Sequence, residues 1–208
     1  MRYAIFLFIA LACASAQTKS STPRWHETDT ETIWTTRYSN CDYGYSVLLP
    51  AGVVGHGPKS PNPAHGFTVD PVAPQSTKTF DVTGSNRYID VFNFYDVEDH
   101  GESTAATLDY YSSLGEIGDQ KEIQAVGRQS FNLAGLSARH LEDRWVENST
   151  AIRRDRIIAY RRAGGMLYQF TLQSPEKTYA ADEQLFHRIV DGFPPEQVAD
   201  RRLLQRLE

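Results

Sequence analysis

Cysteine is nearly absent: of 208 residues, only Cys13 and Cys41 are cysteines. That count excludes a disulfide scaffold, and removal of a leader of sixteen residues would leave Cys41 alone. Cys41 therefore reads as a small buried hydrophobe rather than half of a bridge. Basic charge is also in deficit. The chain has 21 Lys+Arg against 26 Asp+Glu, a formal net charge of −5 and a pI near 5.7, which argues against nucleic-acid binding by bulk electrostatics. Beyond the N-terminus no apolar run approaches the roughly 20 residues that a membrane-spanning helix needs. There is no HExxH and no P-loop. The nearest approach to Gly-x-Ser-x-Gly is Gly135-Leu136-Ser137-Ala138-Arg139, which lacks the final glycine and falls in a predicted strand rather than on a strand-to-helix elbow. No cofactor motif is present either.

What the sequence does have begins at its first residue. Met1-Arg2-Tyr3 supplies a positive charge, Ala4 to Ala12 a short apolar run, and Ala14-Ser15-Ala16 a small-x-small cleavage site. These are the three parts of a secretory signal peptide. Cleavage after Ala16 predicts a secreted or periplasmic protein whose charge, with Arg2 gone, is −6. Ala10-Leu11-Ala12-Cys13 matches a lipoprotein box more loosely, which makes a lipid anchor on Cys13 the alternative address. The partner class that fits either address is an envelope or extracellular protein.

The rest of the chain divides into a polar lead over 17–37, a single α/β domain over 38–193 and a short C-terminal helix over 194–208. Tyr45 to Leu49 reads as a first strand stopped by Pro50-Ala51-Gly52. Val53 to Pro63, with two glycines and three prolines, reads as an irregular loop. Gly66 to Asp70 and Thr77 to Val82 are candidate short strands. Tyr88 to Val97 is apolar on both faces, as a doubly buried strand would be. Ser103 is a predicted N-cap for a helix to about Leu114, with Leu108, Tyr111 and Leu114 turned inward. Glu122–Phe131, Leu136–Val146, Ile152–Tyr160 and Met166–Leu172 read as four strands. The turns between them carry Asn132/Gly135, Asn148-Ser149 and Gly164-Gly165, short enough to force an antiparallel meander. Ser174-Pro175 predicts a second helix, capped by the serine hydroxyl and ended by Gly192. The fold class that follows is α+β, a mostly antiparallel sheet covered by helices in an α/β/α sandwich.

Three groups of residues are candidates for chemistry. His56 and His65 flank the Pro/Gly loop with Asp70 nearby, a donor set that could hold zinc or copper, although the spacing matches no recognised site. Arg153, Arg154 and Arg156 form a basic cluster that could bind a carboxylate or phosphate. Glu142, Asp143 and Asp155 lie in the same hairpin, so cross-strand pairing is the favoured explanation of that cluster. Tyr110 stands next to Tyr111 on one helix, where only one ring can point fully inward; the other is a candidate to anchor a partner or glycan, or is equally often partly buried at a layer edge. Asn148-Ser149-Thr150 is an N-glycosylation triplet in a predicted turn.

Tyr43-Gly44-Tyr45-Ser46-Val47-Leu48-Leu49-Pro50-Ala51-Gly52 resembles the opening strand of the PsbP-like/Ran-binding-protein-like α/β/α sandwich superfamily, which includes an uncharacterised exported bacterial branch. Gly165 to Leu172 followed by Ser174-Pro175, and a helix bearing Phe186, Ile189 and Val190, is similar to that family's last strand and closing helix. The resemblance covers roughly Tyr43 to Phe193 and rests on structural motifs. It implies the sandwich fold and an accessory or binding role, and it carries over no catalytic residue. The reading is an exported, non-enzymatic accessory or binding domain. The alternative is a secreted hydrolase with its site near the 53–63 loop.

Overall fold

A computed structural model describes residues 33–40, 45–57, 66–78, 80, 82, 84–96, 103–114 and 123–193. The signal peptide, Cys13, Cys41, His65 and the C-terminal helix over 194–208 lie outside the described residues.

Ten strands and two helices make up the described chain. In chain order they are β1 (Ile33–Trp34), β2 (Arg37–Asn40), β3 (Tyr45–Leu48), β4 (Gly55–His56), β5 (Gly66–Val69), β6 (Tyr88–Tyr95), α1 (Thr104–Leu114), β7 (Gln124–Leu133), β8 (Leu136–Glu147), β9 (Thr150–Arg161), β10 (Met166–Pro175) and α2 (Glu176–Val190). Eight strands form one antiparallel sheet in the order β1-β4-β5-β6-β10-β9-β8-β7, and β2 and β3 pair separately as a hairpin. The predicted meander is present as β7 to β10. Its turns use positive φ at Ala134 and Gly135, at Asn148 and Ser149, and at Gly164 and Gly165, the twist that suits tight hairpins.

Strand alternation sorts the side chains of the sheet onto two faces. Val91, Ile157, Ala159, Tyr168, Phe170 and Leu172 belong to one face, and with them Phe67, Val69 and Ile89 enter the main core. α2 supplies Phe186 and Ile189 from above, and the β2–β3 hairpin supplies Tyr38, Tyr45 and Val47. Phe193 closes this core, its ring 5.1 Å from Tyr168 and 5.5 Å from Phe170. The hairpin is tied to the end of α2 by Leu48 N–H donating to Gly192 C=O at 2.8 Å. A side chain at Gly192 would collide with the Leu48 carbonyl, so glycine is needed there for close approach. On the opposite face α1 covers a smaller cluster of Leu108, Leu141, Ile158, Tyr160 and Leu167, with Phe94 and Tyr111 packed against it. The result is an α+β sandwich in which each helix covers only part of its face.

Several expectations need correction. Leu114 is exposed at 43%, whereas Leu108 is fully buried: six residues at 100° each turn it roughly 240° away from Leu108. The Ser103 cap is present, its hydroxyl accepting Ala106 N–H at 3.2 Å. Ser174 does not cap α2. β10 runs through Pro175, which takes the cap position without a side-chain bond. The Ser174 hydroxyl instead donates to Asp182 at 2.6 Å, a charged acceptor that wins over a backbone amide. Asp182 also accepts two bonds from Arg87 at 2.8 Å each, fastening the approach to β6 onto α2. The described residues of Thr77 to Val82 form no strand, and the predicted 53–63 loop contains β4. Within the polar lead, Ile33 and Trp34 join the main sheet as β1, through Ile33↔His56 and Trp34↔Gly55.

Candidate functional site

The β8–β9 hairpin carries most of the buried charge, and its register decides which charges meet. Asp143 stands opposite Arg154, Leu141 opposite Arg156, and Glu142 opposite Asp155. Alternation therefore puts Asp143, Arg154 and Arg156 on the α1 side, and Glu142, Arg153, Asp155 and His140 on the α2 side.

On the α1 side the pairing is complete in kind. Asp143 is 2.6 Å from Arg154 and 3.3 Å from Arg156. Arg154 lies over the Trp145 ring at 5.2 Å, and Arg156 also donates to the Ser112 carbonyl of α1 at 3.3 Å. Nearer the solvent, Asp109 of α1 pairs with Arg128 at 3.0 Å and Arg139 at 3.2 Å. The cross-strand explanation of the arginine cluster thus describes how Arg154 and Arg156 sit.

The α2 side is different. Glu142 and Asp155 are carboxylates directly opposite one another, which is unfavourable without an intervening positive charge. Asp155 is fully buried, and neither of its side-chain oxygens has a hydrogen bond of good geometry, although both His140 and Tyr179 interact with it. His140 Nε2 lies 3.4 Å from Asp155 Oδ2, within ion-pair range but outside hydrogen-bond geometry. Asp155 pushes the His140 pKa up against the opposing effect of desolvation. Arg153 reaches Glu142 at 2.9 Å and lies 3.8 Å above the Tyr179 ring of α2. Tyr179 donates to Glu183 at 3.4 Å, and its pKa is driven upward by burial first and by Asp155 next. The donor atoms of His140, Glu142 and Asp155 all lie within 4.8 Å of one another.

Of this cluster, His140 also lines a cleft of about 550 Å³. The cleft is walled by Phe131 and Leu133 of β7, Ile157 of β9, Val190 at the end of α2 and Phe193, with His140 and His187 supplying imidazoles. None of its lining residues comes from the predicted loop at 53–63.

Of the residues singled out from sequence, His65 lies outside the described residues. His56 is buried in β4, 6.3 Å from the Phe80 ring, and Asp70 accepts the Val72 N–H at 2.8 Å. Tyr110 is the more exposed ring of its pair, edge-on to Tyr111 at 5.1 Å. Tyr111 points inward and donates to Asp96 at 2.9 Å. Arg153 faces the side opposite to Arg154 and Arg156, so the three arginines do not form one pocket. Sequence reasoning missed the grouping of His140, Glu142 and Asp155. The signal was there: His140 and Glu142 are two apart in a strand and so share a face, and the two-residue turn at Asn148-Ser149 sets Asp155 opposite Glu142.

No protein-family model matches the sequence, and no curated protein matches it either. Solved structures do match. The Ran-binding protein Mog1p of Saccharomyces cerevisiae superposes with a TM-score of 0.52 at 12% identity, covering 83% of this chain and 99% of Mog1p. Cyanobacterial PsbP (CyanoP) of Synechocystis sp. PCC 6803 gives 0.46 at 16% identity, over 85% of this chain and 97% of its own. LpqN of Mycobacterium tuberculosis, involved in cell envelope biogenesis, gives 0.48 at 15% identity, over 79% and 83%. At these identities the likeness speaks for architecture alone: the chain shares the α+β fold of Mog1p.

Proposed function

We propose that this chain is an exported, non-enzymatic accessory domain that holds an extended segment of a partner protein along β7. The observation that carries the reading is the outer edge of β7. This ten-residue strand ends the sheet, and among the described residues no strand pairs with its outer side. Val126 and Phe131 are exposed on it at 48% and 38%. An unpaired edge offers a row of backbone donors and acceptors to an added strand. The cleft beside Phe131 and Leu133 offers a place for that strand's side chains. The register shift between Ala125 and Gly127 interrupts the edge, which limits pairing with itself. The sandwich frame hosts a Ran-binding protein in yeast, so a binding role is compatible with it. Export rests on the signal-peptide pattern of residues 1–16.

The test is site-specific photo-crosslinking in the native host. A photoreactive residue at position 131 is expected to capture a defined envelope or extracellular protein. The same residue at the exposed position 72, away from β7, is expected to capture none. Equal labelling from both positions would remove the support for a β7 interface. Mass spectrometry of the mature protein is expected to find Gln17 at the N-terminus. A lipid-modified Cys13 would move the domain to a membrane, and an intact Met1 would overturn export.

A further inference from the structure

We infer that His140, Glu142 and Asp155 form a binding site for a divalent transition metal ion, of which zinc is the simplest representative. Three observations combine. The first is that the three donor atoms are already gathered within 4.8 Å of one another, on adjacent positions of one sheet face. In a tetrahedral zinc site, with bonds of about 2.0–2.2 Å, neighbouring donors stand about 3.4 Å apart. His140 Nε2 and Asp155 Oδ2 are at 3.4 Å now, so only Glu142 has to swing inward. The second is that Asp155, fully buried, has no hydrogen bond of good geometry on either side-chain oxygen, while His140 Nε2 stands 3.4 Å from its Oδ2. A buried carboxylate in that condition needs a cation or a donor close by. The third is access: His140 also lines the cleft, which leaves a route for the ion and room for a water as fourth ligand.

One imidazole and two carboxylates suit zinc, and manganese or iron less selectively. The groups that face the site from the packed elements are Arg153 of β9 and Tyr179 and Glu183 of α2. Arg153 competes for Glu142, and a proton on His140 competes with the metal.

The experiment is titration of the full-length mature protein with zinc chloride alone, read by calorimetry and by the thermal midpoint. Cobalt(II) absorption serves as an independent report of tetrahedral coordination. Binding is expected at pH 7.5. It is expected to weaken at least about ten-fold in both His140→Gln and Glu142→Gln and to persist in His187→Gln, which removes the other cleft imidazole. Glu142 is partly exposed, so Glu142→Gln remains a test even if the histidine variant folds poorly. Absence of zinc binding by the wild type at pH 7.5 overturns the assignment, as does affinity undiminished in Glu142→Gln. Both outcomes would leave His140 as no more than the counter-charge of Asp155.

Discussion

One hairpin presents two solutions to the problem of burying charge. On the α1 side of β8–β9, Asp143 is closed between two guanidiniums, and one of these is anchored again on a helix carbonyl. On the α2 side, a few ångströms through the same two strands, Asp155 is as deeply buried but has no hydrogen bond of good geometry. Burial is alike on both sides, so burial does not separate them. The difference is that arginine can reach around a carboxylate with several donors, while the imidazole facing Asp155 offers a single nitrogen that is poorly aligned. A closed ion network of the first kind holds a fold together. An open group of the second kind leaves coordination capacity for something else, and its His140 lines the cleft.

The strongest way to break this comparison is to remove each carboxylate in turn. Asp143→Ala strands two largely buried arginines, so a loss of about 3–5 kcal/mol is expected. Asp155→Asn gives up the 3.4 Å pair with His140 but also removes the clash with Glu142, so its effect without metal is expected to be smaller, about 1–2 kcal/mol. Denaturant melts of the two variants in the presence of EDTA decide the matter. Equal losses would mean that the two sides are energetically the same and that the openness of the Asp155 site is only apparent.

The next test asks whether the α1-side face is as settled beyond the hairpin. Asp90 lies on that face in β6, opposite Thr171 in β10 and Thr68 in β5. Desolvation lifts its pKa to about 7, with a backbone hydrogen bond at Val91 opposing the rise. A raised acid holds its proton more tightly in the folded state than in the unfolded chain. Its stabilising contribution is therefore full below about pH 4 and is lost as pH rises through about 7. Asp90→Asn is expected to stabilise the protein by about 1–3 kcal/mol at pH 8 and to change little at pH 4. Melting curves of wild type and variant at the two pH values measure this. A pH-independent difference would show that Asp90 is not the titrating group.

How much of this was legible follows from the range of each signal. β7 to β10 could be read because local alternation and local turns specify them, and those need no knowledge of the rest of the chain. β2 and β4 were not separately readable. β4 has only two residues, too few for periodicity, and exists only because Gly55 and His56 fall between β1 and β5. Ser174 misled because a Ser-Pro pair is a strong local helix signal, while the competing acceptor, Asp182, is brought close by the packing of α2 on β10. The same limit explains the candidate site. His56, His65 and Asp70 drew attention by proximity in sequence, whereas His140, Glu142 and Asp155 become neighbours only through a ladder register. That register was itself encoded at Asn148-Ser149, through the turn type that those two residues adopt.

The smallest expected effect tests that turn, which both sides of the hairpin depend on. Asn148 and Ser149 have φ of 45° and 64°. Asparagine tolerates this left-handed conformation, while serine pays for the crowding of its Cβ, a cost on the order of 1 kcal/mol. Ser149 is exposed and leads straight into Thr150 of β9, so its side chain contributes no core packing. Ser149→Gly removes the crowding but adds backbone freedom to the unfolded chain, which offsets part of the gain. A net stabilisation of about 0.5 kcal/mol is expected, with the Glu142↔Asp155 register and zinc affinity unchanged, because an Asn-Gly pair favours the same two-residue turn. Denaturation midpoints and a zinc titration of the variant provide the check. A fall in stability, or a loss of zinc affinity, would mean that Ser149 contributes an interaction beyond its backbone and that the turn alone does not set the register on which the site depends.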